Sequence, residues 1–297
     1  MKYTPTTDHK ISIFKAVHKR LISSGIWSDN LDRTHLISPS PFYLSAEQYE
    51  ELQNLGRAIH SFYQAVNKLY LHKGNEWVSE YLDIGKTDEI LKLGRMNFHK
   101  QATPMVIRPD IILTEDGFVI TELDSVPGGI GHLDSLSTAY EEFGFELIGS
   151  GMHNSFELMV KEAAKKTDPV IALIVSDESE DYRAEMTALA NELRAGGLNI
   201  YCIHPSDTCF TEEALMIKTD IGKLPVDLIY RFYELFDLPN IPKSELLIYA
   251  AKRKFAGFVP CMKHFLEEKM LLALLHNKAL EDFWLFAMGE EDYYRML

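Results

Sequence analysis

Cysteine is scarce: Cys202, Cys209 and Cys261 are the three in 297 residues, an odd number with no C-x-x-C pair. That pattern argues against a disulfide framework or a structural zinc site and leaves a reducing cytoplasm as the expected compartment. Long apolar runs are missing as well. No stretch reaches the roughly 18 residues that a membrane span requires, and the opening MKYTPTTDHKISIFKAVHKR has no continuous apolar core of the secretory type. Positive charge is in short supply, with 30 Lys and Arg against 44 Asp and Glu, for a formal net charge of −14. A surface of that sign suits neither nucleic acid nor anionic lipid, so an anionic ligand needs a local cation or a metal. The sequence also lacks G-x-G-x-x-G, a P-loop, G-x-S-x-G and H-E-x-x-H, and it shows no internal repeat. His132, His153 and His204 therefore read as surface or satisfied core positions, and Cys202 as an inert core thiol.

What remains is a chain that is 46% apolar with 16 Phe and 14 Tyr, enough for a large core and, at this length, for two domains. Residues 46–72 carry Leu52, Leu55, Ile59, Phe62, Val66, Leu69 and Tyr70 at helical spacing, with Ser45 and Gln48 in a capping-box pattern. Residues 8–23 and 86–93 read as shorter helices. MVIRPDIILT and GFVITELD then form a hairpin signal around Glu115, Asp116 and Gly117, followed by the glycine-rich turn SVPGGIG and a helix. From residue 168 strands and helices alternate: strands at PVIALIVS, LNIYCIH, VDLIYRF and FAGFVP, helices at 180–195, 244–254 and 264–276. The expected class is α/β with an α+β N-terminal part: a helical and hairpin region over 1–167, a Rossmann-like three-layer unit over 168–260, and a further segment over 261–297.

The informative constellation is Arg108, Asp110, Glu122 and Asp124. Each pair is separated by one residue and so shares a face of its strand. A three-residue loop at 115–117 pairs Thr114 with Phe118, sets Asp110 opposite Glu122 and Arg108 opposite Asp124, and leaves Ile107, Ile111, Leu113, Val119 and Leu123 on the apolar face. A two-residue loop shifts that register by one and separates the pairs. Three carboxylates and one guanidinium sum to −2, a cluster that a divalent cation would relieve. Oxygen ligands on adjacent strands suit Mg²⁺, and Arg108 beside them suits a phosphoryl oxygen. A cross-strand salt bridge with solvated acids is the simpler alternative. The turn Pro127-Gly128-Gly129-Ile130-Gly131 could present N–H groups to phosphate or be no more than a tight turn.

The run R-P-D-I-I-L-T-E-D-G-F-V-I-T-E-L-D-S, with twelve residues from Asp110 to Glu122, resembles the glutathionylspermidine synthase-like enzymes. These are ATP-grasp ligases with a Rossmann-like pre-ATP-grasp domain. S-V-P-G-G-I-G resembles the substrate loop of related circularly permuted proteins. VDLIYRFYELF resembles the family's V-D-x-x-Y-R strand, and FVPCMKHFLEEKMLLALL its entry to the grasp domain. The resemblance implies that Arg108 contacts the γ-phosphate, that Asp110, Glu122 and Asp124 lie at Mg²⁺ sites, and that Ser125 and Arg231 contact substrate. Lys269 matches a nucleotide-binding lysine. For Arg231 and Lys269, an ion pair at a strand end and a solvated helix position are the competing readings. Asp124 stands where the family has Asn and adds a negative charge. The implied activity is ATP-dependent joining of a small-molecule carboxylate to an amine. The family's adenine pocket follows the region matched, so the chain is expected to be an N-terminal fragment or a shortened relative. A non-catalytic α/β module that binds a small ligand or a partner is the other expectation.

Overall fold

A computed structural model of the chain describes residues 7–27, 36–115, 117–149 and 151–297. The protein is mixed α/β. Its first half runs α1 (Thr7–Ser23), α2 (Ala46–Tyr70), α3 (Glu76–Leu82), α4 (Asp88–Gly94), β1 (Arg108–Thr114), β2 (Gly117–Asp124), α5 (Ile130–Glu141) and α6 (Gly151–Ala164). There follow β3 (Ile171–Val175), α7 (Arg183–Ala195), β4 (Ile200–Ile203), β5 (Thr208–Phe210), β6 (Leu215–Thr219), β7 (Gly222–Pro225), β8 (Leu228–Phe232), α8 (Ser244–Arg253) and β9 (Gly257–Val259). The chain closes with α9 (Leu271–Leu275), α10 (Glu281–Met288) and α11 (Glu290–Met296). None of the described helices is long and apolar enough to cross a membrane.

Two compact units emerge, and neither is a contiguous stretch. One comprises Met1–Tyr43, Gly128–Phe232 and Ile241–Gly257; the other comprises Leu44–Pro127, Tyr233–Asn240 and Phe258–Leu297. The expected segments 1–167, 168–260 and 261–297 were each a single run of sequence, whereas these units are each woven from three.

In the first unit β3 pairs in parallel with β4 on one side and β8 on the other, in the sheet order β4-β3-β8-β9. Every residue of β3 and β8 is buried, which is why both read as unbroken apolar runs and not as alternation. β5, β6 and β7 form a separate antiparallel meander between β4 and β8. The helix expected over 180–195 begins at Arg183, after a 3₁₀ segment over Asp177–Tyr182, and it stops at Gly196 and Gly197, the latter at φ +100°.

The glycine-rich turn is a packing device. Gly129 takes φ +84°, and its N–H donates to the buried carboxylate of Glu185 at 2.7 Å, as the His132 N–H does at 2.9 Å. The amino end of α5 thus holds an anion already, and that anion is the protein's own. A Cβ on Gly131 would lie 2.0 Å from the Glu185 carbonyl oxygen, and one on Gly128 would lie 2.3 Å from the Tyr182 ring. These N–H groups serve the turn reading, not phosphate.

In the second unit Ser45 and Gln48 close a complete capping box at the start of α2. α2 buries Leu55, Ile59, Phe62, Val66 and Leu69 against the C-terminal helices, where the Trp284 indole donates to the Leu274 carbonyl at 3.0 Å. The helix expected over 264–276 does not form as one piece. A 3₁₀ turn at His264–Leu266 and the short α9 replace it. Residues 261–266 are buried on all sides, so no solvent face exists for an amphipathic helix to present. Phe265 instead stacks on Tyr70 at 3.7 Å between ring centroids.

The hairpin departs from expectation at its tip and agrees at its mouth. Thr114 pairs with Gly117 and Leu113 with Phe118, so the three-residue loop is not formed; Asp116 lies outside the described residues. A bulge between Asp110 and Ile111 then shifts the register by one, leaving Thr121 without an opposite number, and restores Asp110 opposite Glu122 and Arg108 opposite Asp124. The Thr121 hydroxyl donates to the Asp110 carbonyl at 3.0 Å and closes the gap. Ile107, Ile111, Ile120 and Leu123 face the core, while Leu113 and Val119, expected there, are exposed.

Gly131→Ala tests the close approach at α5. A helix interior ordinarily gains ~1 kcal/mol from this change, but overpacking against a backbone carbonyl should cost about 2–3 kcal/mol. Urea denaturation should show a net loss of stability, and an unchanged midpoint would mean that the contact is loose.

Candidate functional site at the mouth of the hairpin

The open end of β1 and β2 gathers the charged residues singled out in the sequence. Arg108 Nε donates to Asp110 Oδ1 at 3.0 Å, and its Nη2 lies 3.3 Å from Asp124 Oδ2. The guanidinium thus bridges two carboxylates on neighbouring strands. Partial burial disfavours its charge, but the Asp110 hydrogen bond and the acids around it outweigh burial and raise its pKa. Asp124 Oδ1 accepts the Val126 N–H at 2.8 Å, a local turn that steers the chain off the strand.

Lys269 belongs to this group. Its Nζ lies 2.7 Å from Glu122 Oε1, although 147 residues separate the two in sequence. The Glu122 hydrogen bond is the main reason its pKa rises, with Asp124 and Glu234 adding to it. Counting Lys269 with Arg108 against Asp110, Glu122 and Asp124 brings the cluster to −1 where Arg108 alone left −2.

Ser125 follows directly but is 2% exposed, and its hydroxyl donates to the Leu266 carbonyl at 3.1 Å. Glu267, beside it in the fold, accepts the Leu235 N–H at 2.8 Å. Tyr63 is buried nearby; burial first, then the charges of Asp124 and Glu267, push its hydroxyl pKa up. Arg231 is in the other compact unit, fully buried on β8 and in register with Ile174 on β3. Among the described residues, no group of three or more His, Cys, Asp or Glu side chains is placed to hold a metal ion. Each acid at the hairpin mouth is engaged by a cation or an N–H.

A second polar cluster in the same unit was not legible from motifs. Lys263 is 1% exposed, and its ammonium donates to Asn67 Oδ1 at 2.7 Å and to the carbonyls of Lys100 and Ala102 at 2.9 and 2.8 Å. Burial pushes its pKa down to about 8. Next to it, His264 Nε2 lies 2.8 Å from Asp83 Oδ1, and the Tyr70 hydroxyl reaches the same oxygen at 2.7 Å. Arg95 completes the set by donating to Tyr70 and pairing with Asp83. The only sequence signal was a Lys-His pair inside the apolar run FVPCMKHFL.

His264 sets an acid limit on stability. Burial is the main reason its pKa falls below the ordinary 6.5; Lys86 and Arg95 act in the same direction, against the Asp83 hydrogen bond. The unfolded chain therefore binds this proton more readily than the folded one, so stability falls as pH drops below 6.5. Urea midpoints at about pH 7.5 and 5.5 should show this slope, and a His264→Phe chain should lose part of it. An identical slope in both chains would remove His264 as its source.

Set against protein-family models and against curated proteins, the sequence matches none.

Proposed function

We propose that the protein is an ATP-dependent carboxylate–amine ligase of the ATP-grasp type, similar to glutathionylspermidine synthase-like enzymes and acting in the cytoplasm. The supporting observation is the convergence of Arg108, Asp110, Glu122 and Asp124 on the mouth of one hairpin, with Lys269 brought to Glu122 from far along the chain. On this reading the sheet β4-β3-β8-β9, parallel at β4-β3 and β3-β8, is the Rossmann-like pre-ATP-grasp unit, and residues 261–297 open the grasp segment. The substrates are a small carboxylic acid and an amine, and neither nucleic acid nor membrane takes part.

The donor set suits magnesium in kind. Mg²⁺ commonly takes one or two protein carboxylates and completes its shell with water and substrate phosphates, so three converging acids are not required. Asp110 and Asp124, with Glu122 beside them, would hold it, and the ion would neutralise charge on a transferring phosphoryl group. Arg108 would grip a γ-phosphate oxygen through its planar fork, and Lys269 would leave Glu122 for the nucleotide. The resemblance also assigns Ser125 and Arg231 to substrate; both are buried and they belong to different units, so the reading rests on the hairpin mouth and not on them. Phosphoryl transfer to the carboxylate yields an acyl phosphate, and attack by the amine on that carbonyl forms the amide and releases phosphate.

One observation favours a second reading. Each acid is already engaged by a cation of the protein itself, as on a structural salt-bridge face, which suits a non-catalytic module that binds a small ligand or a partner. Two measurements separate the readings: calorimetric titration of ATP with Mg²⁺, and amine-dependent release of ADP. The ligase reading expects both signals, and expects Arg108→Ala to reduce turnover by about 10²–10³-fold, as when a donor to a developing anion is lost. Heat neither from ATP nor from ATP with magnesium, with a thermal shift from amino acids that survives Arg108→Ala, would establish the second reading instead.

A further inference from the structure

A second site lies in the unit built on the parallel sheet. A cleft of about 750 Å³ runs along the edge strand β4, between α7 and β6, and reaches Asp177 just past the end of β3. This is within the roughly 300–1,000 Å³ range of small-molecule sites.

Four residues of α7 face the cleft: Arg183, Thr187, Asn191 and Arg194, spaced four, four and three apart along one stripe. At the end of β3, Asp177 lies between an imidazole and a guanidinium, and the same guanidinium donates through Nε to Glu180. Asp177 Oδ1 lies 3.0 Å from His204 Nε2 and 4.0 Å from Arg183 Nη2. Both partners are fixed by contacts of their own. Arg183 Nη2 donates to the Ser176 carbonyl at 3.3 Å, and His204 Nδ1 accepts the Ser206 N–H at 3.2 Å, which leaves the proton on Nε2 pointing at Asp177. Arg194 lies over the Tyr201 ring at 4.8 Å.

The acids are placed differently. The side chains of Asp177, Glu180 and Asp220 are 70%, 60% and 66% exposed, against 24% for Arg183 and 27% for His204. Arg183 and His204 are therefore anchored on the inner wall, while these acids are solvated at the rim; with Arg194, Lys218 and Asp207 included, three cations face four acids and the lining sums to −1. Exposed ion pairs of this kind hold weakly and exchange with solvent. Lys218 and Asp207 complete the charged lining. The amino end of α7, a 13-residue helix, opens at Arg183 with no side chain capping it and adds a positive dipole end. Beside it the buried Ser176 hydroxyl has no hydrogen-bond partner among the described residues.

We propose that this cleft binds a small organic anion, its carboxylate or phosphate group held by Arg183 and His204 in the position that Asp177 now occupies. Asp177 acts as a resident placeholder that a ligand acid displaces. The body of the ligand lies along Thr187 and Asn191 towards Arg194 and Tyr201. This site is separate from the hairpin mouth and does not depend on the reading given to that mouth.

The test is calorimetric titration of the full chain with inorganic phosphate in one arm and succinate in the other. Asp177→Asn removes the competing charge but keeps its shape, and should tighten binding of the preferred anion by about three- to fivefold, the scale of an exposed ion pair. Arg183→Gln should abolish binding, and Arg183→Lys should weaken it by losing the fork while retaining charge. Thermal melting of each variant separates lost binding from lost folding. The preferred arm identifies the acid group. Absence of binding in both arms for the parent chain and for Asp177→Asn would overturn the proposal, and so would binding unaffected by Arg183→Gln in a folded chain.

Discussion

The hairpin bulge at Thr121 is the constraint on which the candidate site depends. In a sheet, one residue of slippage carries every side chain to the opposite face. The loop at Thr114 and Gly117, continued without interruption, would have put Asp110 opposite Thr121, Glu122 opposite Pro109 and Arg108 opposite Leu123. The extra residue cancels that slip. Ile111 and Ile120 can then face the core together with Leu123, while Arg108, Asp110, Glu122 and Asp124 share the outer side at the mouth. Burial of those apolar residues, at about 25 cal/mol per Å², is what holds four charged groups in register. Placement of charge here follows from placement of Ile and Leu.

The sequence made the elements legible where local chemistry and tertiary packing agree. The capping box at Ser45, the buried strand at Ile171–Val175 and the amphipathic spacing of α7 all follow from patterns of apolar and turn residues. The charged quartet was also readable, because alternation along two adjacent strands fixes faces almost independently of context. The path to it was not. A bulge leaves no mark in composition, and two errors of one residue, at the loop and at the bulge, cancel at the mouth. Lys269 was visible as a lysine in a resembling segment, but its pairing with Glu122 depends on tertiary structure. Lys263 and His264 were illegible for the same reason. Their partners Asn67, Lys100, Ala102 and Asp83 come from 160 to 200 residues earlier.

Two helix ends illustrate how one chemistry serves different purposes. The amino end of α5 is satisfied by Glu185, which joins that turn to α7 and makes Gly131 a point of close packing. The amino end of α7 has no side-chain cap and stands next to Arg183, His204 and an exposed Asp177. Both ends attract negative charge. The first is closed by a buried carboxylate, the second is fronted by a solvated one. Burial of the resident acid separates a structural role from a site that can exchange its occupant.

The interleaving of the two compact units bears on how the protein is made. The polypeptide passes from one to the other five times, and the first unit needs both its opening residues and Gly257, while the second needs the final helices that end near Leu297. On a ribosome, where domains generally form as their sequence emerges, the first unit lacks a part until Gly257 has been made, and the second lacks its α9–α11 helices for longer still. β3 is made before both strands that flank it, so its apolar residues stay without their second partner until β8 emerges about 50 residues later.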